Sequence, residues 1–321
     1  MSDVVKDIFF LVQQAMFFSI PLLIVALGGM FTERSGVINI ALEGIMIFGA
    51  FTGILFISTF QDILPGQPIL ILAILVSAVT GITVSLAHAY ASINMKANQI
   101  ISGTAINMFA PAFAIFTVRL IRTVQQLPFK NQFYIEKVPG LGDIPVLGDM
   151  LFQKTYITTY IGFIILIISW LVIYKTRFGL RLRACGDHPQ AADSAGISVY
   201  KMRYFGVALS GMLAGIGGLV FIIPISTEFN ATVSGYGFLA LAVLIFGQWK
   251  PGRIVVAAFF FGLMKTVSSS YSGISFMKDI PIPSYIYKMI PYIATLIVLA
   301  FTSKNSMAPR AGGIPYDKSI R

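Results

Sequence analysis

Long apolar runs, separated by short polar or charged stretches, recur along the whole chain. A helix needs about 20 apolar residues to cross the hydrocarbon core of a bilayer. The pattern therefore predicts an all-α protein, folded as a polytopic bundle of membrane-spanning helices. The candidate segments are residues 8–31, 36–57, 68–93, 99–121, 155–174, 202–226, 234–248, 254–273 and 285–302.

The seventh segment, 234–248, is short for a full crossing. Gly235, Gly237 and Gly247 interrupt it, so it could be a tilted span, a broken helix or a re-entrant segment. We therefore predict eight to ten membrane segments. Elsewhere, glycines four residues apart, at 49 and 53 and at 211 and 215, indicate helices that approach closely.

Composition supports a membrane-embedded chain. Hydrophobic residues make up 56% of it and charged residues only 11%, whereas about 25% of a typical soluble domain is charged. The two longest polar stretches, 122–154 and 175–201, hold too few apolar residues to bury cores of their own. Residues 1–321 are therefore expected to form a single transmembrane domain.

Basic residues indicate the orientation. The formal charge is +10, but Lys and Arg lie between apolar runs, as in membrane topology rather than in a nucleic-acid surface. The densest basic group lies within 175–201, which we assign to the cytoplasm, so 122–154 forms an external loop. Nine crossings would place the N-terminus outside. The basic residues expected on the cytoplasmic side are Arg34, Lys96, Lys175, Arg177, Arg181, Arg183, Lys201, Arg203, Lys250, Arg253, Lys304, Arg310, Lys318 and Arg321.

The external loop contains three prolines and a short repeat. Leu141-Gly142-Asp143 recurs as Leu147-Gly148-Asp149. These features predict ordered turns rather than a flexible linker. The loop could be a docking platform for an external partner or a plain connector.

Motifs for enzyme chemistry are missing. The sequence has no H-E-x-x-H and no G-x-S-x-G. Cys185 and His188 are spaced like half of a zinc site, but no further ligands complete it. Gly262 to Thr266 imitates the end of a phosphate loop without its upstream glycine. We expect a transport subunit that is not an enzyme and binds no metal or cofactor.

Polar residues inside apolar segments are the candidates for a solute pathway, since they are costly in lipid. Asn39 precedes Glu43 by one turn and would share its face if this stretch were helical. The alternative for both is a helix kink or a hydrogen bond between helices, and for Lys265 it is a side chain reaching towards the interface. His88 is expected to be a packing residue. The predicted pathway residues are Asn39, Glu43, Gln99, Ser102, Asn107 and Lys265.

A short helix is predicted within 175–201. Asp187 can cap its first turn, Pro189 suits the first helical position, and Gly196 would end it after about seven residues. Such a helix is too short to cross the membrane. It could contact a soluble partner or lie on the lipid surface.

Several motifs resemble a known family. Residues 32–44 (TERSGVINIALEG) resemble the N-terminal signature of bacterial ABC-transporter permeases of the branched-chain amino acid and ribose importer group. Residues 177–184 (RFGLRLRA), running on to Ala192 and Gly196, resemble the coupling-helix region of that group. Residues 98–107 (NQIISGTAIN) and the tail 313–316 (GIPY) are similar to its nucleoside permeases. The resemblance covers about residues 10 to 317.

The resemblance implies a type II ABC importer-like permease in the bacterial cytoplasmic membrane. Its expected partners are a second permease subunit, a cytoplasmic ATP-binding subunit that carries the ATP, and an external substrate-binding lipoprotein. Nucleosides, and purine nucleosides such as guanosine in particular, are the favoured solutes. The alternatives are sugars, riboflavin or amino acids, or an ion-coupled secondary transporter. The residues implied for ATPase coupling are Gly186, Asp187, Pro189, Ala191, Ala192 and Gly196.

Overall fold

Helices dominate the computed structural model, which describes residues 3–122, 125–146, 148–270, 283–302 and 307–318. Apolar runs form helices because a helix satisfies its own backbone hydrogen bonds, as lipid requires. The helices are α1 Asp3–Glu33, α2 Leu42–Phe60, α3 Gln67–Ala89, α4 Gln99–Arg122, α5 Ile157–Lys175, α6 Arg177–Asp187, α7 Pro189–Ser194, α8 Val199–Ile225, α9 Tyr236–Phe246, α10 Pro251–Ser270 and α11 Ser284–Thr302. A π-helical turn, Tyr90–Asn94, extends α3.

Seven of the described helices have the length and composition needed to cross a membrane: α1, α2, α3, α4, α5, α8 and α10. The predicted helical bundle is thus confirmed, but the predicted count of eight to ten segments is not. The segment predicted at 234–248 is the 11-residue helix α9. At 1.5 Å per residue it is about 17 Å long, too short to cross. Residues 271–273 of the eighth predicted segment lie outside the described residues.

One predicted segment begins later than expected, and one predicted loop holds an additional helix. The second segment, predicted at 36–57, becomes helical only at Leu42, because residues 34–41 form turns and irregular backbone. The stretch 175–201 was expected to hold one short helix. It also contains α6, which begins at Arg177 and whose N-cap, Thr176, accepts a hydrogen bond from Gly179 N.

Helix α8 lies at the centre of the bundle and packs against α1, α2 and α3. Glycines make these contacts close. A Cβ atom at Gly49 would overlap the backbone of Gly215, and one at Gly81 would overlap the carbonyl of Gly211. The close helix approach predicted from the spaced glycines is therefore confirmed.

The two ends of the bundle differ. At the end that we name the strand end, residues 125–156 contribute three short strands, β1 Leu127–Pro128, β2 Tyr134–Lys137 and β3 Gln153–Tyr156. Strand β2 pairs with β3, and β1 pairs antiparallel with β4 Glu228–Phe229. The opposite end, named the basic end, carries α6, α7 and residues 307–318. Leu147 of the repeated loop motif lies outside the described residues.

Candidate functional site

The chain breaks its helical course between α1 and α2. Residues 34–41, named the break segment, are not helical, so Asn39 and Glu43 do not share a helix face as the sequence had suggested. Asn39 Nδ2 donates a hydrogen bond to Ser210 Oγ, 3.0 Å away. Ser210 lies near the middle of α8, about 17 Å along the helix from Val199 at the basic end. The break segment therefore reaches the middle of the bundle.

Side chains from α3 and α4 satisfy the backbone of the break segment. Ile38 N donates to Gln99 Oε1 at 2.7 Å, and His88 Nε2 lies 3.1 Å from Ile38 O. Because a carbonyl only accepts, His88 Nε2 carries the proton, and Nδ1 accepts from the hydroxyl of Ser102 at 3.1 Å. Buried non-helical backbone needs such partners at membrane depth.

Asn107 holds the start of α2 from the neighbouring helix α4. Its Nδ2 donates to Ile40 O at 2.9 Å, and its Oδ1 accepts from Gly44 N at 2.7 Å. The first N–H groups of a helix have no partner within the helix. Asn107 therefore joins the break segment to the first turn of α2.

Glu43 performs the same task for a second helix. Its Oε1 accepts from Gly235 N at 2.9 Å and its Oε2 accepts from Gly237 N at 2.6 Å. Both donors lie at the N-terminus of α9, where the helix dipole favours a negative charge. Only 8% of Glu43 is exposed. The carboxylate thus links the N-termini of two helices that begin in the middle of the bundle.

The α8–α9 connection, residues 226–235, reaches this point from the strand end without forming a helix. Its side chains alternate: Asn230, Thr232 and Ser234 are exposed, while Ala231 and Val233 are buried. Sequence reasoning missed these three polar residues. The alternation of polar and apolar residues before Gly235 was the signal that could have found them.

The structure brings five of the six predicted pathway residues together around the break segment and the first turn of α2. Asn39, Gln99 and Asn107 hydrogen-bond backbone there. Ser102 hydrogen-bonds His88, which contacts Ile38 O, and Glu43 bonds the N-terminus of α9. Lys265 forms none of these bonds and lies half-buried on α10. The five clustered residues are Asn39, Glu43, Gln99, Ser102 and Asn107.

The predicted short helix at the basic end is α7, six residues long. Its N-cap is His188, not Asp187, because Asp187 is the last residue of α6. Pro189 occupies the first turn as predicted. Gly196 follows the helix with φ +79°, where it donates to Asp193 O at 2.9 Å. A glycine relieves the strain of this left-handed backbone.

Helix α7 presents a polar, small-residue face to its surroundings. Gln190, Ala191 and Ser194 are exposed, whereas Pro189 and Ala192 are buried against the bundle. None of the residues that the structure describes covers this exposed face, so it is free to receive a partner.

Close backbone contact connects α6 to the break segment. A Cβ atom at Gly186 would overlap the carbonyl of Arg34. Burial lowers the pKa of the Arg34 guanidinium, and the carboxylate of Asp187 partly opposes this shift. Arg34 Nη2 donates to Trp249 O, at the turn after α9. The start of the break segment thus contacts both α6 and the chain that follows α9.

The C-terminal segment 307–318 packs across the basic end. Ala311 N donates to Gly186 O at 2.9 Å, and Gly313 N donates to Gly36 O at 3.3 Å. One short stretch of chain therefore contacts both the end of α6 and the break segment.

Tyr316 anchors this segment beside α7. Its ring packs in a buried cluster with Cys185 and Ala192, and the Arg203 guanidinium lies 5.9 Å from its centroid. Burial raises the pKa of Tyr316, and the hydrogen bond to Asp193 raises it further. Burial also raises the pKa of the Cys185 thiol to about 11, so this cysteine is unreactive.

Helices of membrane-spanning length, with polar residues where α2 and α9 begin in mid-bundle, indicate a multi-pass membrane protein. The family model "Branched-chain amino acid transport system / permease component" matches residues 11–299. The chain therefore belongs to this family of ABC-transporter permeases.

Curated relatives match almost the whole chain. It is 44% identical to the guanosine ABC transporter permease protein NupQ of Bacillus subtilis, over 99% of this chain and 100% of the relative. It is 39% identical to the nucleoside ABC transporter permease protein NupC of Lactococcus lactis, over 99% of both. The nucleoside ABC transporter permease protein NupB of the same organism is 24% identical over 94% of this chain and 82% of its own length. No solved structure matches the chain.

Proposed function

We propose that the chain is a transmembrane permease subunit of an ATP-driven importer of nucleosides, with purine nucleosides such as guanosine as the favoured solutes. The observation that carries the proposal is the end-to-end similarity to two relatives whose names specify guanosine and nucleosides. Similarity over whole chains includes the break segment, α7 and the C-terminal segment alike.

The proposed partners follow from the two ends of the bundle. The basic end faces the cytoplasm of a bacterial cell, because loops rich in Lys and Arg stay on the cytoplasmic side of a membrane. There the exposed face of α7 receives a cytoplasmic ATP-binding subunit. ATP is bound by that subunit. The strand end faces outward and receives a substrate-binding lipoprotein. A second, related permease completes the pathway, as the occurrence of NupB beside NupC in one organism favours.

Backbone contacts offer a route from the ATP-binding subunit to the middle of the bundle. Movement of α7 is transmitted to α6, since only His188 separates the two helices. Gly186 of α6 touches the backbone of Arg34. The C-terminal segment adds a second connection through Gly313 and Gly36. Both contacts act on the break segment, which leads directly to Glu43.

The five clustered polar residues remain our predicted pathway residues, and we assign them a positioning role. They hold the break segment and the starts of α2 and α9 in place, so that a solute meets ordered walls. A change in the break segment would move Glu43 and with it the N-terminus of α9. This coupling would switch the pathway between outward-open and inward-open states.

Uptake of radiolabelled guanosine tests the proposed function. Cells lacking only this chain are expected to lose ATP-dependent uptake, and a plasmid copy should restore it. Uptake should fall when ATP is depleted and persist when only the membrane potential is dissipated. Dependence on the potential instead would indicate an ion-coupled transporter. Unchanged guanosine uptake would contradict the solute assignment, and sugars, riboflavin and amino acids would then be compared.

Gly196→Trp is expected to prevent the ATP-binding subunit from assembling with the permease. A tryptophan there places a bulky ring beside the exposed face of α7, and its positive φ costs about 1–2 kcal/mol. Co-purification of the ATP-binding subunit with the tagged permease measures the effect.

Gly140→Trp is the matched control for this substitution. Gly140 has the same φ of +79° and open space around it, but it lies at the strand end. Normal assembly in the Gly140 variant and lost assembly in the Gly196 variant are expected. Equal co-purification from both variants would contradict the assignment of α7 as the coupling helix.

A further inference from the structure

The α8–α9 connection carries a stripe of polar side chains. Asn230, Thr232 and Ser234 are exposed. The residues between them, Ala231 and Val233, are 3% and 0% exposed. The backbone here is also strained: φ is +53° at Ala231 and +54° at Ser234.

Ring and hydrogen-bond contacts fix the depth of this stripe. Just before the stripe, the Phe229 ring lies 6.4 Å from that of Phe51, the tenth of the 19 residues of α2. Just after the stripe, Gly235 N donates a hydrogen bond to Glu43, the second residue of α2. The stripe therefore runs alongside the half of α2 that lies nearer the middle of the bundle.

Lipid cannot cover such a surface. Non-helical backbone at membrane depth is tolerated only where protein buries it or where it lines a water-filled cavity. Hydroxyl and amide groups facing hydrocarbon would lose their hydrogen bonds to water, at a cost of several kcal/mol each. The exposed side of the connection must therefore face water or protein.

Exposed aromatic rings lie near both ends of the stripe. Phe238, in the first turn of α9 and four residues after Ser234, is 51% exposed. Near the other end, Phe113 of α4 is 38% exposed, and its ring lies 6.3 Å from that of Phe51, which in turn neighbours Phe229. Flat apolar rings beside hydroxyl and amide groups suit a solute with an aromatic base and a hydroxylated sugar.

We propose that the exposed side of the α8–α9 connection is a wall of the solute pathway, where Asn230, Thr232 and Ser234 hydrogen-bond a nucleoside passing towards Glu43. The inference rests on the proposed function and assigns its solute contacts to residues outside the break segment. Gly237, one of the two donors to Glu43, lets this wall approach α2 closely, since a Cβ atom there would overlap Glu43.

Cysteine substitution tests whether these residues line the pathway, because the native chain should not react with a thiol reagent. Its single cysteine, Cys185, is 0% exposed. Asn230→Cys, Thr232→Cys and Ser234→Cys are introduced singly into the full chain, and the complete transporter is treated in membranes with a charged, membrane-impermeant thiol reagent. Ala231→Cys and Val233→Cys are the matched buried controls. The wild-type chain should stay unlabelled.

Labelling with a period of two residues is expected. The three stripe positions should react at least about tenfold faster than the two controls, because reactivity needs a water-exposed thiol. Guanosine should slow the reaction at the stripe positions, and completed modification should block guanosine uptake.

Two results would overturn the inference. Equally slow labelling at all five positions would mean that the second permease subunit covers the connection. Fast period-two labelling that guanosine does not slow would mean a wet surface outside the solute's path. If wild-type cells take up no guanosine, the proposed solute is wrong. The proposal that these residues line the pathway would still hold if another solute slowed the labelling.

Discussion

Replacing Gly81 with alanine is expected to destabilise the protein strongly. A Cβ atom at this position would overlap the Gly211 carbonyl oxygen and lie 3.1 Å from the Gly215 Cα. Both neighbours are backbone atoms, so α3 must move away from α8 across one of the most extensive helix contacts in the bundle. Overpacking of this kind costs about 1–3 kcal/mol and sometimes more. Thermal unfolding of the purified protein in detergent measures the loss.

Gly252→Ala provides the control. Gly252 lies in the first turn of α10 with no atom within 4 Å of an added Cβ. Alanine favours a helix over glycine by about 0.5–1 kcal/mol, so this variant should unfold at the wild-type temperature or slightly above it. Equal unfolding temperatures for the Gly81 and Gly252 variants would contradict the close helix packing.

Glu43→Gln is expected to lower nucleoside uptake at least about tenfold, although the side chain keeps its size. Two backbone N–H groups, at Gly235 and Gly237, donate to the two carboxylate oxygens. A glutamine offers one acceptor and turns its NH₂ group towards the other donor. Losing a hydrogen bond to a charged group costs about 1.5–3 kcal/mol, and about 1.4 kcal/mol corresponds to a factor of ten.

The kinetic parameters separate positioning from solute contact. If Glu43 only holds α9 in place, the maximal rate of uptake should fall while the half-saturating guanosine concentration stays unchanged. Unchanged co-purification of the ATP-binding subunit with the Glu43 variant would exclude a failure of folding or assembly as the cause. Wild-type uptake by the Glu43 variant, at equal membrane content, would show that its hydrogen bonds are dispensable.

Local sequence rules succeeded where a short stretch determines its own structure. The apolar runs predicted the helices, because hydrocarbon requires every backbone group to be paired within the segment. Pro189 and Gly196 predicted the bounds of α7 to within a residue or two, because both residues restrict the backbone themselves. The spaced glycines predicted close packing of α8, although they did not reveal which helix each one touches.

The same rules failed where a partner distant in sequence decides the conformation. Residues 36–41 are apolar enough to read as the start of a helix, yet they are held open by Gln99, Asn107 and Ser210. Likewise, the sequence places Glu43 inside a span without indicating that its acceptor atoms are used by Gly235 and Gly237. Sixty to almost two hundred residues separate these groups along the chain.

The sequence by itself determined that this protein is a helical membrane protein, that its basic residues gather near one short helix, and which polar residues lie within its apolar segments. Those properties depend on composition, hydrophobic runs and residues with restricted backbones. Only the tertiary structure decided that α2 and α9 both begin in the middle of the bundle and that Glu43 joins them. The physical reason is that unpaired backbone groups at such depth must find partners, and packing alone determines which side chains reach them.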